Sequence, residues 1–160
     1  MLETLVPGAQ HLQNIHPLVV HFPLAFLPGA ALFYVLAWLT GRETLAWTGL
    51  WLLVLGAVGA AVAASTGLYA EEGVMVDPSV RDALLDVHEW WMLRVVGASV
   101  VMAGWALIGR PFPHRGRAAF VFLLLVLLVA LVRGADFGGR MVYDYNAGGN
   151  ACGQPIEFSR

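Results

Sequence analysis

Four apolar stretches, at about 18–39, 46–68, 88–109 and 118–137, alternate with short polar connections. Each approaches the ~20 residues that an α-helix needs to cross a bilayer. The pattern predicts an all-α fold, an integral membrane four-helix antiparallel bundle forming a single transmembrane domain over residues 1–160, with a tail at 140–160 outside the spans. The connection at 40–46 is short, which makes the first two helices an antiparallel hairpin. The longest connection, 69–87, carries Glu71, Glu72, Asp77, Asp82 and Asp86 against Arg81. Within it Asp77-Pro78 is a helix start, an acidic cap followed by proline in the first turn. The third helix is therefore expected to begin near Pro78 and to run through His88, Trp90 and Trp91 into the bilayer, the tryptophans lying in the interface belt.

Other features modulate these helices. His16 precedes Pro17 and is expected to be extended, with the first span starting at Pro17. Pro23 and Pro28 each remove a helical hydrogen bond, so irregularity is expected in the first half of that helix. Gly59, Ala63 and Gly67 recur every four residues along the second span, a stripe that lets helices pack closely. Arg133, Asp136 and Arg140 share one face near the end of the fourth span, and the Gly/Asn-rich segment after Tyr143 reads as loop. No repeat occurs at solenoid periods.

Composition agrees: 59% of the 160 residues are hydrophobic and 12% charged, the balance of a membrane protein. All nine basic residues are arginines. Three of them, Arg110, Arg115 and Arg117, sit in one acid-free link, so the positive-inside rule makes the 110–117 loop cytoplasmic. Alternation then places the 69–87 loop and both termini on the outer, periplasmic side of a bacterial inner membrane. Residues 1–14 have Glu3 as their only formal charge and no basic n-region, so the first apolar run is expected to be a retained helix rather than a cleaved leader. Cys152 is the single cysteine, which excludes an internal disulfide and a Cys-x-x-Cys-His haem attachment. No P-loop, Gly-x-Ser-x-Gly or His-Glu-x-x-His motif is present, and the few cations give no nucleic-acid footprint.

The candidate chemistry is imidazole. Topology puts His11, His16, His21 and His88 on one side, with His114 opposite. A histidine entering hydrocarbon needs a partner, and His21 and His88 start the first and third spans at similar depth. They are the expected axial ligands of a b-type haem, with His16 as the alternate or supporting ligand. A haem needs an apolar slot and cations for its propionates. Arg94, Arg133 and Arg140 are the candidate cations, and Trp91 a candidate pocket wall. Copper or zinc bound by His16, His21 and His88, with Met75, Met141 or an acid of the 69–87 loop, is the competing reading.

The segment Asn14-Ile15-His16-Pro17-Leu18-Val19-Val20-His21-Phe22-Pro23-Leu24-Ala25 resembles the opening of a bacterial four-helix membrane family, domain of unknown function 2231. Its members begin with HPLxVHFPxA and close with GGxLVYxHG. Gly138-Gly139-Arg140-Met141-Val142-Tyr143-Asp144-Tyr145 matches the closing motif, with Tyr145 where the histidine is expected. The resemblance implies a four-helix topology and occasional association with c-type cytochrome modules.

The functional expectation is a small membrane b-type cytochrome, an electron-transfer protein rather than a stand-alone enzyme. It would carry electrons from a quinol or other membrane donor to a periplasmic acceptor, a c-type cytochrome or a respiratory-complex subunit. A non-enzymatic subunit that scaffolds a larger membrane complex is the alternative from another class.

Overall fold

A computed structural model describes residues 15–71 and 77–145. Four long helices account for nearly all of them: α1 His16–Thr40, α2 Glu43–Glu71, α3 Pro78–Ile108 and α4 Arg117–Tyr145. All are long and apolar enough to cross a membrane. α1 packs along α2, α2 on α3, α3 on α4 and α4 back on α1. The bundle is thus a ring, and α1 and α3 stand on one diagonal, α2 and α4 on the other.

Local chemistry sets the helix ends. His16 lies inside the first turn of α1 rather than extended before it, Pro17 being tolerated there because the first N–H groups of a helix have no intrahelical acceptor. A break at Val20 separates His16–Val19 from His21–Thr40. Pro23 accounts for it, because it has no N–H to offer the Val19 carbonyl one turn back. The helix continues through Pro28. α1 stops at Gly41, which takes a left-handed φ of 69° and donates its N–H to Ala37 O at 2.9 Å. α3 starts where Asp77 accepts from the N–H and hydroxyl of Ser79, at 2.9 and 2.6 Å, bonds that hold its carboxyl below the usual range. Residues Arg81–Leu85 then form one π-helical turn before the regular helix resumes. An ion pair from Arg81 Nη1 to Glu71 Oε1, 2.9 Å, ties this turn to the end of α2.

Two helices run further than the apolar pattern indicates. α3 extends ten residues beyond the apolar stretch, back to Pro78, and α4 stays helical through Gly138, Gly139 and on to Tyr145. The extensions are held by a second apolar cluster of Val80, Leu84, Leu85 and Met141, with Phe137 and Tyr145 against it. Two helix ends that cover each other there need no bilayer to remain helical.

The main core runs down the bundle axis through Leu27, Leu50, Leu53, Val95, Phe120 and Leu124. α1 and α2 approach closely at Gly56, where a Cβ would stand 2.7 Å from Leu27 Cδ2 and 3.3 Å from its backbone nitrogen. At the end formed by the two short connections, Tyr34 is fully buried and donates its hydroxyl to Pro111 O at 3.0 Å. Its ring packs on Phe112 and Phe120, and Trp105 packs edge-on against Phe120. Many outward-facing positions are apolar, including Leu39, Val101 and Ile108, as lipid contact requires.

Two substitutions test this packing. Gly56→Val overpacks the α1–α2 contact and is expected to destabilise the detergent-solubilised protein by about 1–3 kcal/mol. Tyr34→Phe leaves the Pro111 carbonyl without its partner and is expected to cost about 1–2 kcal/mol. Thermal unfolding followed by circular dichroism reads both, and an unchanged midpoint in either variant contradicts the corresponding contact.

Candidate functional site

His16 turns inward from the first turn of α1 and meets α2. Its Nδ1 lies 2.9 Å from Ala63 O and 3.2 Å from Thr66 Oγ1. A carbonyl oxygen only accepts, so Nδ1 carries the proton. Thr66 donates its own hydroxyl to the same carbonyl at 2.9 Å, which leaves an oxygen lone pair facing the imidazole N–H. One turn further along α2, Gly67 makes room: a Cβ there would stand 3.0 Å from His16 Cε1.

His88, on the opposite diagonal corner, is held in the same way. Its Nδ1 lies 2.7 Å from Gly134 O of α4, and a Cβ on Gly138 would stand 2.8 Å from His88 Cε1. Each half of the bundle therefore repeats one device: an imidazole on the odd-numbered helix, a carbonyl on the even-numbered helix, and a glycine four residues beyond that carbonyl. The spacing has a simple cause. In an α-helix the carbonyl of residue i points at residue i+4, whose side chain would shield it from an outside donor. Glycine removes that shield.

The repeat is also metric. His16 and Ala63 are 47 residues apart and His88 and Gly134 are 46. The two sets are offset by roughly 70 residues, the length of one helical hairpin plus its connection. α1–α2 and α3–α4 are thus two like halves, each with its histidine held on the backbone of the even-numbered helix. From His88 to Ile108, α3 covers about 30 Å at 1.5 Å per residue, the thickness of a hydrocarbon layer.

The other sequence-derived residues fall elsewhere. His21 is exposed on the outer surface of α1, whereas His16 is half-buried against α2. The break at Val20 underlies the difference, since it sets the first turn of α1 apart from the helix that carries His21. Arg94 is exposed, with its Nη1 on Trp90 O at 3.0 Å and its guanidinium 3.2 Å from the Trp90 ring centre. Arg133 lies over Phe137 on its own helix, and Arg140 reaches Asp144 at 3.6 Å. All three cations therefore engage neighbours one turn away rather than the histidine pair. Trp91 packs its Cβ side against Gly134, next to the carbonyl that holds His88, and stacks edge-on with Trp90. Met141 is buried in the cluster above His88, and His114 is exposed at the far end. His11, Glu72, Met75 and Cys152 lie outside the described residues.

Sequence reasoning missed Ala63, Thr66 and the carbonyl of Gly134 as parts of the site. The available signal was the pair of glycines, Gly67 and Gly138, standing 51 and 50 residues after a histidine.

The donor set has a defined chemistry. A neutral imidazole that donates through Nδ1 presents Nε2 as its basic nitrogen, and the carbonyl behind it both fixes the ring and strengthens that base. Among the described residues, no group of three or more His, Cys, Asp or Glu is placed to hold a metal ion. Two imidazoles match in number the axial ligands of an iron whose other four ligands come from a macrocycle, and fall short of the three or four protein ligands that zinc or copper take.

No curated protein and no solved structure matches the chain. A family model described as "Predicted membrane protein (DUF2231)" matches residues 12–151, a range that takes in all four helices and both histidine cradles. With seven-eighths of its length inside that match, and with four helices built to span a bilayer, the chain belongs to the DUF2231 family of membrane proteins.

Proposed function

We propose that this protein is a small b-type cytochrome of the membrane, with His16 and His88 as axial ligands of one haem held between the two helical hairpins. The duplicated cradle carries the reading. Two imidazoles from diagonal helices are each oriented through Nδ1 by a backbone carbonyl, with a glycine clearing the ring edge. A haem bound there would supply reversible one-electron transfer. The protein's own part is to hold both rings neutral and basic at Nε2, and to keep water from one side with Leu84, Leu85 and Met141. We further propose that the site is on the periplasmic side of a bacterial inner membrane, because the arginine-rich segment 110–117 lies at the other end of the bundle. The donor is then a quinol or a membrane partner, and the acceptor a periplasmic c-type cytochrome or respiratory-complex subunit.

The same hydrogen bonds also favour a second reading. His16 and His88 each tie one helix to its neighbour, so they could serve as clamps in a subunit that scaffolds a larger complex.

Spectroscopy separates the two. Protein purified from haem-replete membranes is expected to show a Soret band, the sharp α band of reduced low-spin haem and haem extractable with acid-acetone. His16→Ala and His88→Ala are each expected to lose the low-spin spectrum, whereas His21→Ala keeps it. Absence of haem in the purified wild-type protein overturns the cytochrome reading and leaves the clamp.

The cradle glycine gives a finer test. Gly138→Val drives a side chain into His88 and is expected to weaken haem retention by about 10–100-fold, the usual cost of disturbing a ligand's supporting contacts. Gly97→Val, where an added Cβ meets nothing within 4 Å, is expected to leave retention unchanged. Haem titration of the apoprotein measures both.

A further inference from the structure

The end of the bundle remote from the histidines carries a second constructed surface. Pro111, Phe112 and Pro113 of the α3–α4 connection are buried, and the hydroxyl of Tyr34 fixes this plug from below. The turn is tight: a Cβ on Gly109 would lie 2.8 Å from Pro113 Cα, and Gly116 takes a left-handed φ of 78°. Around the plug, Arg110, His114, Arg115 and Arg117 are exposed, and Arg42 is exposed on the neighbouring α1–α2 turn.

The charges at this end are unbalanced. Glu43 is the one acid near them among the described residues, and it accepts from Trp47 Nε1 at 3.3 Å. Arg110 spends its Nε on Leu107 O at 2.9 Å, and Arg117 lies 5.2 Å from the Phe112 ring centre. The two ion pairs among the described residues, Arg81–Glu71 and Arg140–Asp144, both lie at the opposite end. The guanidinium groups of Arg42, Arg110, Arg115 and Arg117 therefore have no carboxylate partner among the described residues.

Position identifies the occupant. Ile108, the last residue of α3, is 90% exposed and apolar, and Arg110 follows it by two residues. Arg117 opens α4 just before that helix turns apolar and exposed at Phe122, Leu123 and Leu125. The cations thus stand where the lipid-facing surface ends, at the level of the head groups, and a folded plug rather than a flexible tail sets their spacing. We propose that this face is a binding site for the phosphates of anionic phospholipids, the arginines gripping head groups while Ile108 and its neighbours contact the acyl chains. Guanidinium forks suit phosphate oxygens in both geometry and charge. The proposal is independent of what the histidines hold.

Native mass spectrometry and thermal shift of the full chain in neutral detergent test it, with phosphatidylglycerol, cardiolipin, phosphatidylcholine or inorganic phosphate added in turn. Bound anionic lipid and a raised unfolding midpoint are expected, with phosphatidylcholine at least about tenfold weaker. The combined variant Arg110→Gln, Arg115→Gln, Arg117→Gln is expected to lose that preference, while Arg140→Gln, at the far end, keeps it. Arg115→Gln alone removes a side chain with no polar contact among the described residues, and is expected to weaken binding about threefold or more without altering the lipid-free midpoint. Equal binding of the two lipid classes overturns the proposal, as does full lipid preference in both the single and the triple variant. Saturation of the arginines by millimolar inorganic phosphate with no lipid preference assigns the face to free phosphate and overturns it as well.

Discussion

An imidazole placed in an apolar bundle must give its N–H to something, and here it gives it to a backbone carbonyl already engaged within a neighbouring helix. That double use of one oxygen organises the histidine end of the bundle. It requires the neighbouring helix to come close, which requires small residues on its contact face, and it requires the carbonyl to be open, which requires glycine four residues on. Ala63 with Gly67, and Gly134 with Gly138, meet both conditions. The small-residue stripe of α2 is thereby more than a packing surface, because its last member is what allows His16 to reach the backbone.

The two cradles are alike but not identical, and the difference is chemical. His16 shares its Nδ1 proton between Ala63 O and the hydroxyl oxygen of Thr66, at 2.9 and 3.2 Å, whereas His88 makes one shorter contact of 2.7 Å to Gly134 O. At the position corresponding to Thr66, α4 carries Phe137, which joins the apolar cluster above the site and offers no hydroxyl. One imidazole therefore sits in a polar, forked environment and the other against a single strong acceptor beneath a hydrophobic cover. Two like halves have become unequal partners at their shared interface.

The fold was legible because membrane spans are written in composition: the four apolar stretches, the short turn at Gly41 and the Asp77-Pro78 start all correspond to observed helices. What the apolar pattern alone did not carry were the parts of α3 and α4 that pack on each other instead of on lipid; the Asp77-Pro78 cap marks the first, and nothing comparable marks the end of α4 at Tyr145. Their residues alternate charge with Val80, Leu84, Leu85 and Met141, so a search for twenty apolar residues in a row passes over them. The site was half legible. His88 stands out as an imidazole entering an apolar phase, but the preference for His21 over His16 rests on placing His16 outside the helix, extended before Pro17, whereas it lies in the first turn. Carbonyl acceptors are invisible in a sequence, since every residue has one, and only the glycine beside each acceptor leaves a trace.

The π turn at Arg81–Leu85 has a further consequence. Such a turn holds one residue more than the regular helix would, and each residue rotates the chain by about 100° around the axis. It therefore acts as a clutch between two registers. Below it, His88 keeps the heading that Gly134 and Gly138 demand; above it, Val80 keeps the heading that Met141 demands. Neither requirement has to be compatible with the other along a single unbroken helix, so the cap over the histidines and the membrane-embedded half of α3 are free to change sequence separately.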